Sequence, residues 1–363
     1  MKIAIVRGDF ASPSELQNFK PLSKKHQLVL FTGYRPVNDL SSLSWLKIVK
    51  LPSPVDLNIG PIARYLMAIT NRLFTDAHVL FGLEEKLSGF DIAHCAETYY
   101  SYTQQCIRAK KLGYVKKVVS TVWENIPGNN EGISGRVQYK ERSFANIDKF
   151  LTVTDGAKQV LTKEGCSKEK IISLKPGIDL EHFYKHQFVE KKGKVKLLFV
   201  GRLVPEKGIL ELIEIFSQLR LKYKNVEFNI VGDGPLKSKV KGPGINYLGK
   251  ISYQNMPNLY SQNDMLVHYP VGSNTWQEQY GMVLVEAMAC ALPVVGLDQG
   301  SVKEIVGSGG IVVPKNKYIT VLESVTKNKI LLKNLSIKAR KFALKNYNSL
   351  NYAKALEKIY QTV

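Results

Sequence analysis

EQYGMVLVEAMACALPVV, residues 278–295, decides how the chain is read. Two glutamates, Glu278 and Glu286, flank Gly281 in an otherwise mostly apolar run. From Met282 onward apolar residues go round almost every face, the pattern of a buried helix. A carboxylate in such a helix is costly unless something pairs with it. Gly281, Met282 and Val283 form the first turn in this reading, with amides that have no intrahelical acceptor and the positive end of the helix dipole. Glu286 lies one turn inside and complements that dipole. The dipole leaves unexplained why Glu278 stands on the loop ahead of it, with a glycine between.

Outward from this stretch, short β-branched runs alternate with helical patterns. In the first half the strand candidates are 3–6, 28–31, 91–95, 117–122 and 150–154, with helical spacing at 62–73 and 103–112. In the second half they are 196–201, 226–232, 265–269 and 292–296, separated by helices near 208–221 and 282–290. Strand and helix in alternation imply an α/β fold of parallel sheets with crossover helices. The 363 residues suit two such domains. KPGIDLEHF (175–183) precedes a polar, aperiodic stretch at 186–194 that reads as a linker. The expected domains are therefore 1–180 and 181–345, and a final helical stretch, about 346–363, is free to pack back on the first. Ligands bind beyond the carboxyl ends of strands in such sheets, so two facing domains would enclose a cleft.

Composition narrows the class. A hydrophobic fraction of 44% is ordinary for a globular protein, and no apolar run is long enough to span a membrane. The N-terminal apolar run is too short for a secretory signal and reads as a first strand. Cys95, Cys106, Cys166 and Cys290 show no metal-ligand or redox spacing, which points to a reduced, cytoplasmic setting. The net charge of +20 is spread over both halves and favours anionic partners, or serves as a lysine-rich solvated surface. No zinc-finger spacing or aromatic RNA-binding signature accompanies it, so nucleic acid is not expected as a partner.

Four stretches of the second half follow strands and outline one site. VGRLVPEKG (200–208) turns at Gly201 and places Arg202 and Lys207 beyond a strand, cations that suit a diphosphate or a solvated basic loop. VGDGPLK (231–237) offers Gly232 in a tight turn that alone says little. The opening stretch is the third. The fourth is GSVKEIV (300–306), another strand-to-helix loop. A site for a sugar nucleotide uses the third stretch fully. Carboxylates accept hydrogen bonds from vicinal hydroxyls, and amides donate to phosphate or sugar oxygens.

As a set, these motifs resemble those of the retaining glycosyltransferases of family 4, which have the two-domain GT-B fold. The family pattern E-x-FG-xxxx-EAMA-x-G-xPVV is met by Glu278, Tyr280-Gly281, Glu286-Ala287-Met288-Ala289 and Pro293-Val294-Val295. G-R-L-xxx-KG is met at 201–208, GDGP at 232–235, and later elements by GSVKEIV and GGIVVP (309–314). The resemblance implies that Glu286 binds the ribose hydroxyls of a nucleotide-sugar donor and Glu278 the donor sugar. Amides near Gly281, Met282 and Val283 would hold sugar and phosphates. Arg202 and Lys207 would neutralise the diphosphate as negative charge grows on it during bond breaking, which also follows from electrostatics alone. It further implies a hexosyltransferase-type enzyme acting on a glycan, lipid or lipid-linked acceptor. No Asp-x-Asp signature occurs, so no catalytic metal or other cofactor is expected.

The first half departs more from the family. Many members carry a glycine pair after the first strand; here RGDFASP (7–13) has Gly8 alone, followed by Asp9. Many carry a histidine after the strand at 117–122; here Trp123, Glu124 and Asn125 stand there. With the strand-end His94, these make the acceptor-side candidates Gly8, Asp9, His94, Trp123 and Glu124. His268 reads as structural on a buried strand, and Trp276 as a wall of the sugar site. The amphipathic stretch 59–74 and the basic stretch 106–117 suggest docking on an anionic membrane face, or equally a core helix and a solvated face. Alternatives are a nucleotide-sugar epimerase of the same fold and a non-catalytic nucleotide-sugar-binding protein.

Overall fold

Strands whose side chains alternate between two covered faces build two parallel sheets. A computed structural model describes residues 1–57, 75–129, 131–184 and 193–363. The stretch 59–74, with its expected helix, and most of the linker, 186–192, lie outside these residues. The chain separates into two compact units: Met1–Pro176 together with Ser349–Val363, and Gly177–Asn348.

The first unit carries strands β1 (Lys2–Val6), β2 (Gln27–Thr32), β3 (Lys47–Lys50), β4 (Phe90–Ala96), β5 (Val115–Val122), β6 (Lys149–Thr152) and β7 (Ile171–Ser173) in the order β3-β2-β1-β4-β5-β6-β7. All pairings are parallel. The period-two rule sorts the side chains cleanly. Ala4, Val6, Val29 and Phe31 join one core with Leu83, Leu87 and the helix Ser101–Lys111. Ile3, Ile5, Leu28 and Leu30 join another, which the helix Ser349–Thr362 covers with Tyr352, Ala353, Leu356, Ile359 and Tyr360.

The second unit carries β8 (Val195–Val200), β9 (Val226–Val231), β10 (Ile245–Gly249), β11 (Met265–His268), β12 (Val294–Leu297) and β13 (Gly310–Val313) in the order β10-β9-β8-β11-β12-β13. The helix Ile209–Lys222 lays Ile209, Leu212, Phe216 and Leu219 against Leu197, Phe199, Phe228 and Ile230. In each sheet the connection order reverses once, between β1 and β4 and between β8 and β11. Those switch points open a crevice where ligands bind in doubly wound sheets.

Candidate active site

The second unit gathers its expected donor residues at its switch point. Lys207 follows β8 and Glu278 follows β11, and Lys207 Nζ donates to Glu278 Oε2 at 2.6 Å. His268, the last residue of β11, reaches the same oxygen with Nε2 at 3.1 Å. Lys207 Nζ also sits 5.0 Å from the centroid of the Trp276 ring. Burial raises the Glu278 carboxyl, but the His268 hydrogen bond and the Lys207 charge prevail and hold it down at about 2. Glu278 is thus a buried acceptor that is ionised near neutral pH.

Its backbone is pinned by the fourth of the sequence stretches. Glu278 N donates to Gln299 Oε1 at 3.1 Å, and Ser301 N donates to Glu278 O at 2.9 Å. Gly281 then takes φ +76° and precedes the helix Met282–Ala289, and Leu284 N closes the first turn on Gly281 O at 2.8 Å. A left-handed residue there suits glycine, and it leaves the amides of Met282 and Val283 at the open helix start.

Glu286 lies in that helix, buried among apolar neighbours. Tyr260 OH donates to its Oε2 at 2.7 Å. Burial lifts its carboxyl to about 7, and the tyrosine hydrogen bond only partly offsets this. The two glutamates therefore differ in kind: Glu278 is paired and charged, Glu286 close to neutral.

The two glycine-bearing loops beyond β8 and β9 are zipped together. Leu203 N donates to Asp233 O at 2.9 Å, and Leu236 N to Leu203 O at 3.1 Å. A Cβ on Gly232 would stand 1.8 Å from Gly201 O, so the GDGP turn is glycine for close backbone approach. Arg202 is exposed at this edge, and among the described residues it holds no ion pair. No group of three or more His, Cys, Asp or Glu side chains is assembled as a metal cage among the described residues.

The first unit treats its candidates unevenly. Gly8 takes φ +52°, accepts from Thr32 Oγ1 at 2.6 Å through its carbonyl, and lies against the Tyr102 ring. Asp9 follows it, buried, and burial together with the neighbouring Asp56 pushes its carboxyl up to about 6. Trp123 is half-buried and donates its backbone N–H to Glu97 Oε1 at 2.9 Å. Glu124 folds onto its own loop: Oε1 accepts from Asn125 N at 3.0 Å and Ile126 N at 2.9 Å, and Oε2 from Asn129 Nδ2 at 2.8 Å. His94 leaves the acceptor-side set. It is fully buried, Nδ1 bonds Tyr360 OH, Nε2 bonds Thr121 Oγ1 at 2.7 Å, and burial beside Arg7 keeps it neutral.

Two further residues gain weight from the structure. His268, expected to be structural on a buried strand, bonds Glu278 Oε2 at 3.1 Å. Glu97, just past β4, went unremarked. It takes φ +59°, uncommon for a non-glycine residue, and is buried. Burial and the nearby Glu124 raise its carboxyl to about 8, and among the described residues its Oε2 has no hydrogen-bond partner. Nothing in CAETYY (95–100) signals this, because strain and burial arise from the tertiary fold.

The basic stretch 106–117 is largely paired. Arg108 meets Glu84 and Lys116 meets Asp91, each at 2.6 Å, and Lys110 and Lys117 share Asp148 at 2.6 and 3.5 Å. No helix among the described residues is long and apolar enough to cross a membrane. All four cysteines are buried free thiols.

Two Rossmann-like units of parallel sheet, each switching order once, define a GT-B glycosyltransferase architecture. The crystal structure of Anabaena HepE in complex with UDP and glucose superposes with a TM-score of 0.78 over 100% of both chains, at 15% identity. Residues 181–342 match the model of the family described as glycosyl transferases group 1. An uncharacterized glycosyltransferase of Methanocaldococcus jannaschii is 26% identical over 288 residues, 75% of this chain and 76% of the relative. The putative colanic acid biosynthesis glycosyltransferase WcaL of Salmonella typhimurium is 24% identical over 277 residues, 70% of this chain and 67% of the relative.

Proposed function

We propose that the protein is a retaining hexosyltransferase that moves a sugar from a nucleoside-diphosphate sugar to a glycan, lipid or lipid-linked acceptor. The observation that carries this reading is the Lys207–Glu278–His268 network beside the helix start that bears Glu286. Charged Glu278 accepts hydrogen bonds from donor-sugar hydroxyls. Glu286, near neutrality, can both accept from and donate to ribose hydroxyls. The amides of Gly281, Met282 and Val283 face phosphate oxygens.

In the transfer the bond from the anomeric carbon to the β-phosphate oxygen breaks, and the acceptor hydroxyl forms a new bond on the same face. The electron pair stays on the diphosphate, whose oxygen takes the acceptor's proton. Lys207 and Arg202 stabilise that developing charge, and a fixed cation in a water-poor site contributes most of its effect in the transition state. Lys207 is shared between Glu278 and the diphosphate, so the ion pair also orients the cation.

The test is thermal stabilisation by nucleoside diphosphates, with UDP first because HepE was crystallised with it. A ligand at a hundredfold excess over its dissociation constant stabilises by about 2.7 kcal/mol, several degrees in melting temperature. Wild type should respond to one nucleoside diphosphate, and Glu286→Ala should not. If no nucleoside diphosphate raises the melting temperature, the donor site is misassigned.

A further inference from the structure

The helix Lys329–Asn346 carries a surface that the donor site does not use. Its inner face is clamped to the second unit. Leu332 and Leu335 enter the core, and Ser336 Oγ donates to Ala291 O at 2.7 Å. Arg340 Nη1 donates to Phe183 O at 2.9 Å and to Ala289 O. These contacts fix which residues face outward. Ile330, Ile337 and Leu344 do so, exposed by 74%, 51% and 43%. They recur every seventh residue, and an α-helix drifts only about 20° per heptad. The three side chains therefore fall within about 40° of the helix circumference and form one apolar stripe along it.

Lysines border the stripe on both sides. At the angles that a helical repeat dictates, Lys333 lies on one flank and Lys338, Lys341 and Lys345 on the other, all exposed. The helix contains no aspartate or glutamate. Elsewhere in this unit Lys194, Lys222 and Lys303 pair with acids, but among the described residues none of these four does. The basic stretch 106–117 is the opposite case, since Glu84, Asp91 and Asp148 neutralise its cations.

Charge and shape together select the partner. A second copy of this helix would set lysine against lysine, which disfavours self-association. A nucleic acid would meet the lysines but leave the apolar stripe in water. An anionic bilayer satisfies both. The apolar side chains enter the boundary between headgroups and acyl chains, and the lysine stems lie along it with their ammonium groups at lipid phosphates.

We propose that the helix Lys329–Asn346 docks the protein flat on an anionic phospholipid surface, through Ile330, Ile337, Leu344 and the lysines beside them. The surface shares no residue with the donor site, so the two readings fail independently. Co-sedimentation of the full chain is measured with vesicles of phosphatidylcholine alone and of phosphatidylcholine mixed with phosphatidylglycerol, at low and high salt. Binding to the mixed vesicles is expected, weakened by salt, with little binding to phosphatidylcholine. One lysine near an anionic surface contributes about fivefold to partitioning, so Lys333→Gln, Lys338→Gln and Lys341→Gln combined should lower it on the order of a hundredfold. The same charge removed elsewhere on this unit, by Lys224→Gln, Lys239→Gln and Lys241→Gln combined, should leave binding near that of wild type. Ile330→Ser with Ile337→Ser should weaken binding roughly tenfold at unchanged charge. All replaced side chains are exposed, and unchanged melting temperatures show that the variants are folded. No binding of wild type to the mixed vesicles, equal loss in both lysine variants, or full binding by the serine variant would overturn the proposal. So would dimerisation without lipid, seen by light scattering and abolished in the serine variant, which would assign the stripe to a second copy.

Discussion

Glu278 and Glu97 show how one side chain takes opposite characters from its surroundings. Both are buried, yet Glu278 is held at about 2 against a burial effect of opposite sign, while burial, reinforced by the charge of Glu124, lifts Glu97 to about 8. The stability consequences have opposite signs. Glu278 has a folded pKa below its ordinary 4.5, so its contribution is present above that value and is lost as pH falls towards 2. Glu97 has a folded pKa above 4.5, so its contribution is fully present below 4.5 and is lost as pH rises through about 8. Glu286, raised to about 7, acts in the same direction as Glu97. Urea midpoints of wild type should therefore decline between about pH 5 and pH 8, by up to about 1.4 kcal/mol per pH unit for each such group. Glu97→Gln keeps the shape, cannot ionise, and should flatten part of that decline. Parallel profiles for wild type and variant would show that Glu97 is not held as a neutral acid.

The elements reveal what could be read from residues alone and what could not. Nine strands were visible as apolar runs, and all are interior or nearly so. The four that were not, β3, β7, β10 and β13, are the edges of the two sheets. An interior parallel strand is covered on both faces and reads as a continuous apolar run, whereas an edge strand is half exposed and mixed in composition. Lys47–Lys50 begins and ends in lysine, and Ile171–Ser173 has three residues only. The carboxylates of the opening stretch were legible because an acid in an apolar helix is conspicuous. The pairing of Lys207 with Glu278, and of Glu278 with His268, was not, since it joins loops from separate strands. Between elements, Gly232 tests the zipped loops. Gly232→Ala places a Cβ against Gly201 O at a distance no contact tolerates, at a φ of +144°. It should destabilise the protein by at least about 1–3 kcal/mol in denaturant titration and weaken nucleoside diphosphate binding together with it. A stable variant with intact nucleotide response would show that the two loops need not touch.

Across the whole molecule, the first unit is completed by the last helix. Ser349–Thr362 covers one face of its sheet, and Tyr360 reaches His94 in the core through a buried hydrogen bond. Tyr360→Phe would leave His94 Nδ1 without its partner and should cost about 1–3 kcal/mol, read as a lower urea midpoint. No such change would mean that the histidine finds another partner. Leu356 and Ile359 lie in the same core, and each buried side chain of that size contributes about 1.5–3 kcal/mol. This arrangement sets an order of maturation on the ribosome. The second unit can close on itself while the chain is still growing, whereas the first, although made earlier, keeps an apolar sheet face uncovered until residues 349–362 emerge. While residues 177–348 are being made, the chain carries that apolar sheet face uncovered, a burden for chaperones rather than for the folded protein.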